Sequence, residues 1–263
     1  MNSSQRYLDL IGCRQLPPRT VPFDPGYDAR TLEGHIDQSR QFMHSLKLSM
    51  ACWIIADQAA TRHKLDTARR FNIRTVAGGG PFEIACAMGQ LEPYLDLCAE
   101  LGFSRIEAGE GFTDLKESPE RIINLARCRG LSVQFELGRK ADDVFDQERM
   151  TSLAEKGRLW LDAGAEQLVV EARESAADVG LFNASGTLNT ALADLVVEKT
   201  GADLALLQFE APNKPSQFAL LNHFGPEVIL SNVRLEEVLR VEVYRHGLHA
   251  DAFLRGNLSP NTA

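Results

Sequence analysis

Four apolar runs of the chain each carry a glutamate near their end: Glu107 in SRIEAGEG, Glu136 in SVQFELGRK, Glu171 in QLVVEARES and Glu210 in LLQFEAP. A carboxylate does not fit easily in the middle of a strand buried on both faces, so the runs predict four acids at strand ends. Carboxylates gathered at one mouth repel one another unless a cation is shared between them. Hard oxygen donors of this kind suit a divalent ion, Mg²⁺ first, held together with an anionic substrate. Basic residues accompany the acids. Lys47 lies inside the run SLKLSM, where a lysine needs an acidic or phosphate partner. Lys140 follows FELGR, and Arg173 offers a planar fork for a phosphate or carboxylate.

Further candidates are less specific. Gly79 and Gly80, in the run Gly78-Gly79-Gly80, could bring backbone N–H groups to a phosphate or simply make a tight turn. Ser231 and Asn232 follow the last apolar run, and Lys214 lies just beyond Glu210. Either place suits a phosphate site, and Lys214 suits a solvated helix start equally well. The plain alternative for the whole set is a ring of structural salt bridges, which four glutamates with Lys47, Lys140 and Arg173 on one face make less favourable. The six histidines show no HxH or HExxH spacing, and there is no GxSxG elbow, P-loop or GxGxxG turn. Those absences set aside zinc-hydrolase, serine-hydrolase, NTPase and nicotinamide chemistry.

The glutamates are 29, 35 and 39 residues apart, the repeat of a strand followed by a helix. Strands are expected at 20–23, 45–50, 73–77, 103–108, 131–137, 165–172, 204–210 and 227–232, with helices between them. Eight such units predict an α/β fold, a single (β/α)8 TIM barrel over 19–263, whose chemistry gathers at the C-terminal strand ends. Residues 1–18, with Pro17 and Pro18, read as an extended lead-in. The connection of about fifteen residues after the sixth strand is a lid candidate.

Composition bounds the partners. A chain of 263 residues, 44% hydrophobic, can bury one large core, and its formal charge of −8 argues against general binding of nucleic acid or anionic membranes. Five cysteines without a CxxC pair read as buried free thiols. The N-terminus lacks the basic and apolar regions of a signal peptide, and no 18-residue apolar stretch exists, so a cytoplasmic location is expected. Barrels of this size often form homo-oligomers.

Longer motifs carry a resemblance. GGGPFE (78–83), YLDLCAELGF (94–103), FELGRK (135–140), LDAGAEQLVVEARES (161–175), GLF (180–182), FEAPNK (209–214) and GLHADAF (247–253) resemble the phosphosulfolactate synthase family from about Thr20 to Phe253. Members add sulfite to phosphoenolpyruvate with Mg²⁺, the first step towards coenzyme M in methanogens. The resemblance implies a (β/α)8 barrel and places Asp24, Lys47, Glu83, Glu107, Glu136, Lys140, Glu171, Arg173, Glu210 and Asn232 on family motif positions. It implies metal ligands among Glu107, Glu136, Glu171 and Glu210, with Lys140 as general acid at C2. Lys47 and Arg173 would bind substrate anions, with Asp24, Gly79, Gly80, Lys214, Ser231 and Asn232 around them. Addition at C3 of an enol phosphate drives charge into its carboxylate, which a metal and lysines stabilise before C2 is protonated.

The chain departs from the family at the first two loops. Asp24-Pro25-Gly26 stands where Asp-Lys-Gly is common, and Leu48-Ser49-Met50-Ala51-Cys52-Trp53 replaces a Gly-Trp-Gly stretch. In the fourth loop, Glu110 is a conservative change at an acidic position. The first two changes remove positive charge and reshape the side where a sulfite-sized anion would sit. Three readings follow: a lyase joining sulfite to phosphoenolpyruvate, a relative using another nucleophile or phospho-enol acid, and a barrel acting through protein partners.

Overall fold

The computed structural model describes residues 3–139 and 144–256. Eight parallel strands close into a barrel in sequence order. They are β1 (Thr20–Asp24), β2 (Ser45–Leu48), β3 (Arg74–Ala77), β4 (Arg105–Gly109), β5 (Ser132–Leu137), β6 (Gln167–Val170), β7 (Leu207–Glu210) and β8 (Ile229–Arg234). The expected (β/α)8 TIM barrel is therefore the fold. Helices surround it: α1 (Ser3–Leu10), α2 (Ala29–Ser39), α3 (Cys52–Ile55), α4 (Gln58–Arg70), α5 (Gly79–Ala87) and α6 (Leu91–Leu101). The second half adds α7 (Pro119–Arg127), α8 (Gln147–Ala163), α9 (Thr190–Thr200), α10 (Lys214–Phe224), α11 (Val238–Arg245) and α12 (Ala250–Phe253). Among the described residues, no helix is long and apolar enough to cross a membrane.

Local chemistry starts the helices where the sequence offers a short acceptor. Asp28, Asp57, Ser118, Asp146 and Asn189 each cap a first turn with a side-chain oxygen, and Asn213 with Ser216 forms a reciprocal capping box on α10. The strands then divide their side chains by alternation. Ile106 and Ala108, Val133 and Phe135, Leu168 and Val170, and Leu207 and Phe209 join the apolar core against the helices. One such contact is the stacking of Phe135 on Trp160 of α8, with centroids 4.3 Å apart.

The alternate positions are polar. Arg105, Glu107, Gln134, Glu136, Gln167, Gln208 and Glu210 are all buried, on the faces turned away from the helix-packed core. This corrects the expectation that every glutamate sits at a strand end: Glu107 is the middle residue of β4 and only 1% exposed. It is tolerated because the barrel interior supplies a lysine and two hydrogen-bond donors to it. Glu136 is the penultimate residue of β5, Glu210 ends β7, and Glu171 follows β6 directly.

Three further expectations change. The lead-in is not extended throughout, since Ser3–Leu10 is helical with a Gln5 to Asp9 hydrogen bond of 2.9 Å across one turn. The prolines restrict only the irregular stretch after it. The lid candidate is packed down: Val179, Leu181 and Phe182 are buried, and Phe182 makes bridges to Val179 and Leu188. All five cysteines are free, but only Cys13 and Cys98 are buried.

Candidate active site

Lys47 organises the C-terminal end of the barrel. Its position on β2 turns the side chain inward, and its ammonium lies 2.7 Å from Glu107 Oε1, 3.5 Å from Glu210 Oε1 and 3.9 Å from Glu136 Oε1. Burial by itself would lower the lysine's pKa, but the charges of Glu107, Glu210 and Glu136 outweigh it and hold the ammonium firmly protonated. Glu107 is fully committed. Its Oε1 also accepts from Gly79 N at 3.1 Å, and its Oε2 accepts from Gln134 Nε2 at 2.8 Å.

The other three acids face one another. Glu136, Glu171 and Glu210 each offer an oxygen within 4.8 Å of the others, and all three are buried. Glu210 accepts from the Ala172 N–H at 2.9 Å and from the Asn232 side-chain amide. Glu171 Oε1 accepts from the Arg173 N–H at 2.7 Å, whereas its Oε2 is buried without a hydrogen-bond partner. Burial and then the charge of Glu210 push the Glu171 carboxyl up to about 8; burial also raises Glu210, against the opposing charge of Lys47. Three hard oxygen donors with one orphaned buried oxygen and surplus negative charge fit a divalent cation such as Mg²⁺.

The backbone is shaped around Glu171. A Cβ on Gly138, which has φ +141°, would fall 2.7 Å from Glu171 Cβ, and one on Gly180, with φ +58°, would fall 2.3 Å from the Glu171 carbonyl oxygen. Neither position has space for a side chain, and both backbones prefer glycine. Met50, Arg173 and Asn232 also take left-handed conformations (φ 54°, 53° and 51°) at the cavity wall. Such conformations in non-glycine residues concentrate where geometry is dictated by a site.

The cavity measures about 440 Å³, within the range of small-molecule pockets. Of the residues expected at the site, Lys47, Gly79, Gly80, Glu107, Glu136, Glu171, Arg173, Glu210 and Asn232 line it. Asp24, Lys214 and Ser231 do not. The Asp24 carboxylate is occupied by Lys64 Nζ at 2.6 Å and by the N–H groups of Gly26 and Tyr27 at 2.7 and 2.6 Å, so it fixes the β1 loop. Lys214 places its ammonium 5.1 Å from the Phe218 ring centre, and Ser231 is buried beside Glu210 in the β7–β8 register. Lys140 lies outside the described residues. Glu83 is not at the wall either; its Oε2 accepts from the N–H groups of Phe112 and Thr113, pinning the loop after β4.

Sequence reasoning missed Lys64, Phe23 and the glutamines under the acids, whereas Met50 lies in the 48–53 stretch expected at the mouth. Lys64 carries no signal, because its partner is 40 residues away on another element. The glutamines were readable: Gln134 and Glu136, like Gln208 and Glu210, are two apart and therefore share the inward face.

With this geometry in place, the comparison with known proteins is decisive. The model of the (2R)-phospho-3-sulfolactate synthase (ComA) family matches residues 18–251. The chain belongs to that family. It is 29% identical over 235 residues to the phosphosulfolactate synthase of Methanocaldococcus jannaschii, covering 89% of this chain and 93% of that protein. The phosphosulfolactate synthase of Bacillus subtilis is 23% identical over 235 residues, covering 89% and 92%. At such identities this is a diverged member of the family. Solved structures share the fold at low identity: the YdjI aldolase of Escherichia coli has a TM-score of 0.54 at 12% identity, covering 92% of this chain and 91% of that one. The 3-hexulose-6-phosphate synthase of Salmonella typhimurium has a TM-score of 0.52 at 11%, covering 87% and 100%.

Proposed function

We propose that the protein is a Mg²⁺-dependent lyase of the phosphosulfolactate synthase type, which joins sulfite or a related nucleophile to C3 of phosphoenolpyruvate. The observation that carries this reading is the buried triad Glu136, Glu171 and Glu210 beside Lys47, in a chain of this family. The triad would hold the ion, and Glu107, with both oxygens engaged, would hold Lys47. When bound, Mg²⁺ supplies positive charge to the substrate carboxylate as electron density moves into it.

The chain's own residues do the rest. Arg173, beside the triad, would bind a substrate anion through its fork. At the α5 N-terminus the Gly80 N–H would face the phosphate, the Gly79 N–H being given to Glu107, and Asn232 would orient Glu210 through its side-chain amide. Lys47, kept charged by three carboxylates, supports negative charge developing above it. Lys140 would return the proton to C2. The C–S bond forms at C3, and the electron pair of the double bond ends in the new C–H bond.

A second reading is favoured by one side of the cavity. Phe23, Ser49 and Met50 line its β1–β2 edge, an apolar and uncharged stretch better suited to a less charged nucleophile than sulfite. Both readings place the reaction in the cytoplasm, on small anionic substrates. They are tested together by incubating the protein with Mg²⁺, phosphoenolpyruvate and either sulfite or a neutral thiol. Mass spectrometry should detect a phosphosulfolactate or thioether adduct. Unchanged phosphoenolpyruvate with both nucleophiles would overturn the lyase reading.

A further inference from the structure

Below the carboxylates the barrel axis holds a polar layer of Arg105, Gln134, Gln167 and Gln208, each at most 4% exposed. Arg105 Nη1 donates to Gln167 Oε1 at 2.6 Å and to Gln134 Oε1 at 3.2 Å, and Gln208 Nε2 donates to the same two oxygens at 2.7 and 3.3 Å. A guanidinium has donors only, so the Gln134 atom that faces it must be the carbonyl oxygen. The amide nitrogen is thereby turned the other way. There it donates to Glu107 Oε2 at 2.8 Å, while the opposite oxygen of Glu107 takes Lys47.

We propose that Gln134 is a positioning residue of the active site, which locks Glu107 against Lys47 and keeps the ammonium from moving onto Glu136 and Glu210. Without its donor, Glu107 Oε2 would be a buried charged oxygen short of a hydrogen bond, and the carboxylate would turn to recover one. Lys47 cannot remain without a counter-ion in this interior. The Oε1 atoms of Glu210 and Glu136, 3.5 and 3.9 Å away, are the next available. Those acids are the ones the cation must have. Gln134 thus protects the triad from the protein's own lysine, two bonds removed from it. Gln208 has no such role, since its amide reaches only Gln134 and Gln167.

The inference rests on reading the mouth as the active site, but its test uses the metal-free, substrate-free protein, so it fails or stands separately from the lyase assay. Lys47 and Lys64 are the buried lysines among the described residues, and nitrogen-15 NMR of ammonium groups should show a protected signal from each, the Lys64–Asp24 pair sharing no partner with Gln134. Loss in Lys47→Met assigns the first. In Gln134→Met, and in Gln134→Leu, both of which remove the donor without adding a charge, the Lys47 signal should shift and exchange about tenfold faster or more, with Lys64 unchanged. Gln208→Met should leave both signals in place. If Gln134→Met disturbs Lys64 as well, Gln134→Leu decides. An unmoved Lys47 signal in Gln134→Leu, or an equal shift in Gln208→Met, would overturn the proposal.

Discussion

At the residue scale the site is defined by excess negative charge in a place with little water. Lys47 compensates several carboxylates at once, so removing it strands buried acids without a partner. Lys47→Met should lower the unfolding free energy by roughly 3–5 kcal/mol, read from urea denaturation. Glu171 gives a second expectation. Its carboxyl is raised to about 8 in the folded protein, so the folded state holds a proton that the unfolded chain releases near 4.5. The associated stability is fully present below about 4.5 and is lost as pH rises through 8. Between those limits the metal-free protein should lose stability by at most roughly 1.4 kcal/mol per pH unit from this group. Thermal melts at several pH values should show the decline, and Glu171→Gln should flatten it. Mg²⁺ uptake at pH 7 should release a proton, seen by calorimetry in buffers of different ionisation enthalpy.

At the scale of elements, the β5 and β6 loops set the position of Glu171 by leaving no space near it. Gly138→Ala should destabilise the fold by about 1–2 kcal/mol and weaken Mg²⁺ binding at least tenfold, because its new Cβ meets Glu171 Cβ at 2.7 Å. Calorimetric titration checks the second effect. Most strands and helices were legible in the sequence, because apolar runs and the turns between them are local, whereas the helix Ser3–Leu10 was not. Their inward faces were legible only in part. The glutamates stood out as charges in apolar runs, but a rule that keeps charge out of strands misplaced Glu107, whose neutralising partner comes from β2. Asp24 was read as a substrate ligand because nothing in the sequence joins it to Lys64, buried on α4. Of the left-handed positions Met50, Arg173 and Asn232, the asparagine alone has a residue type that favours that region.

At the scale of the whole molecule, the barrel gathers acids from the ends of β5, β6 and β7, a donor set that exists only in the folded chain. Mg²⁺ should therefore stabilise it by mass action: at a hundred times its dissociation constant, by about 2.7 kcal/mol. For a chain of this size that is a rise in melting temperature of roughly 5–10 °C. Glu210→Gln, which removes one charge from the triad, should abolish most of it. The barrel was readable from eight apolar runs at the spacing of strand-plus-helix units, four of them marked by the glutamates. The division of labour inside it was not, because it depends on which strands face each other across the axis.

The measurement that bears most directly on the account is a crystal structure of the protein soaked with Mg²⁺ and phosphoenolpyruvate. The account predicts one cation held by oxygens of Glu136, Glu171 and Glu210, with the phospho-enol acid beside Arg173 and the Lys47–Glu107 pair unbroken beneath. A cation bound elsewhere, or phosphoenolpyruvate absent from this cavity at saturating concentration, would contradict it.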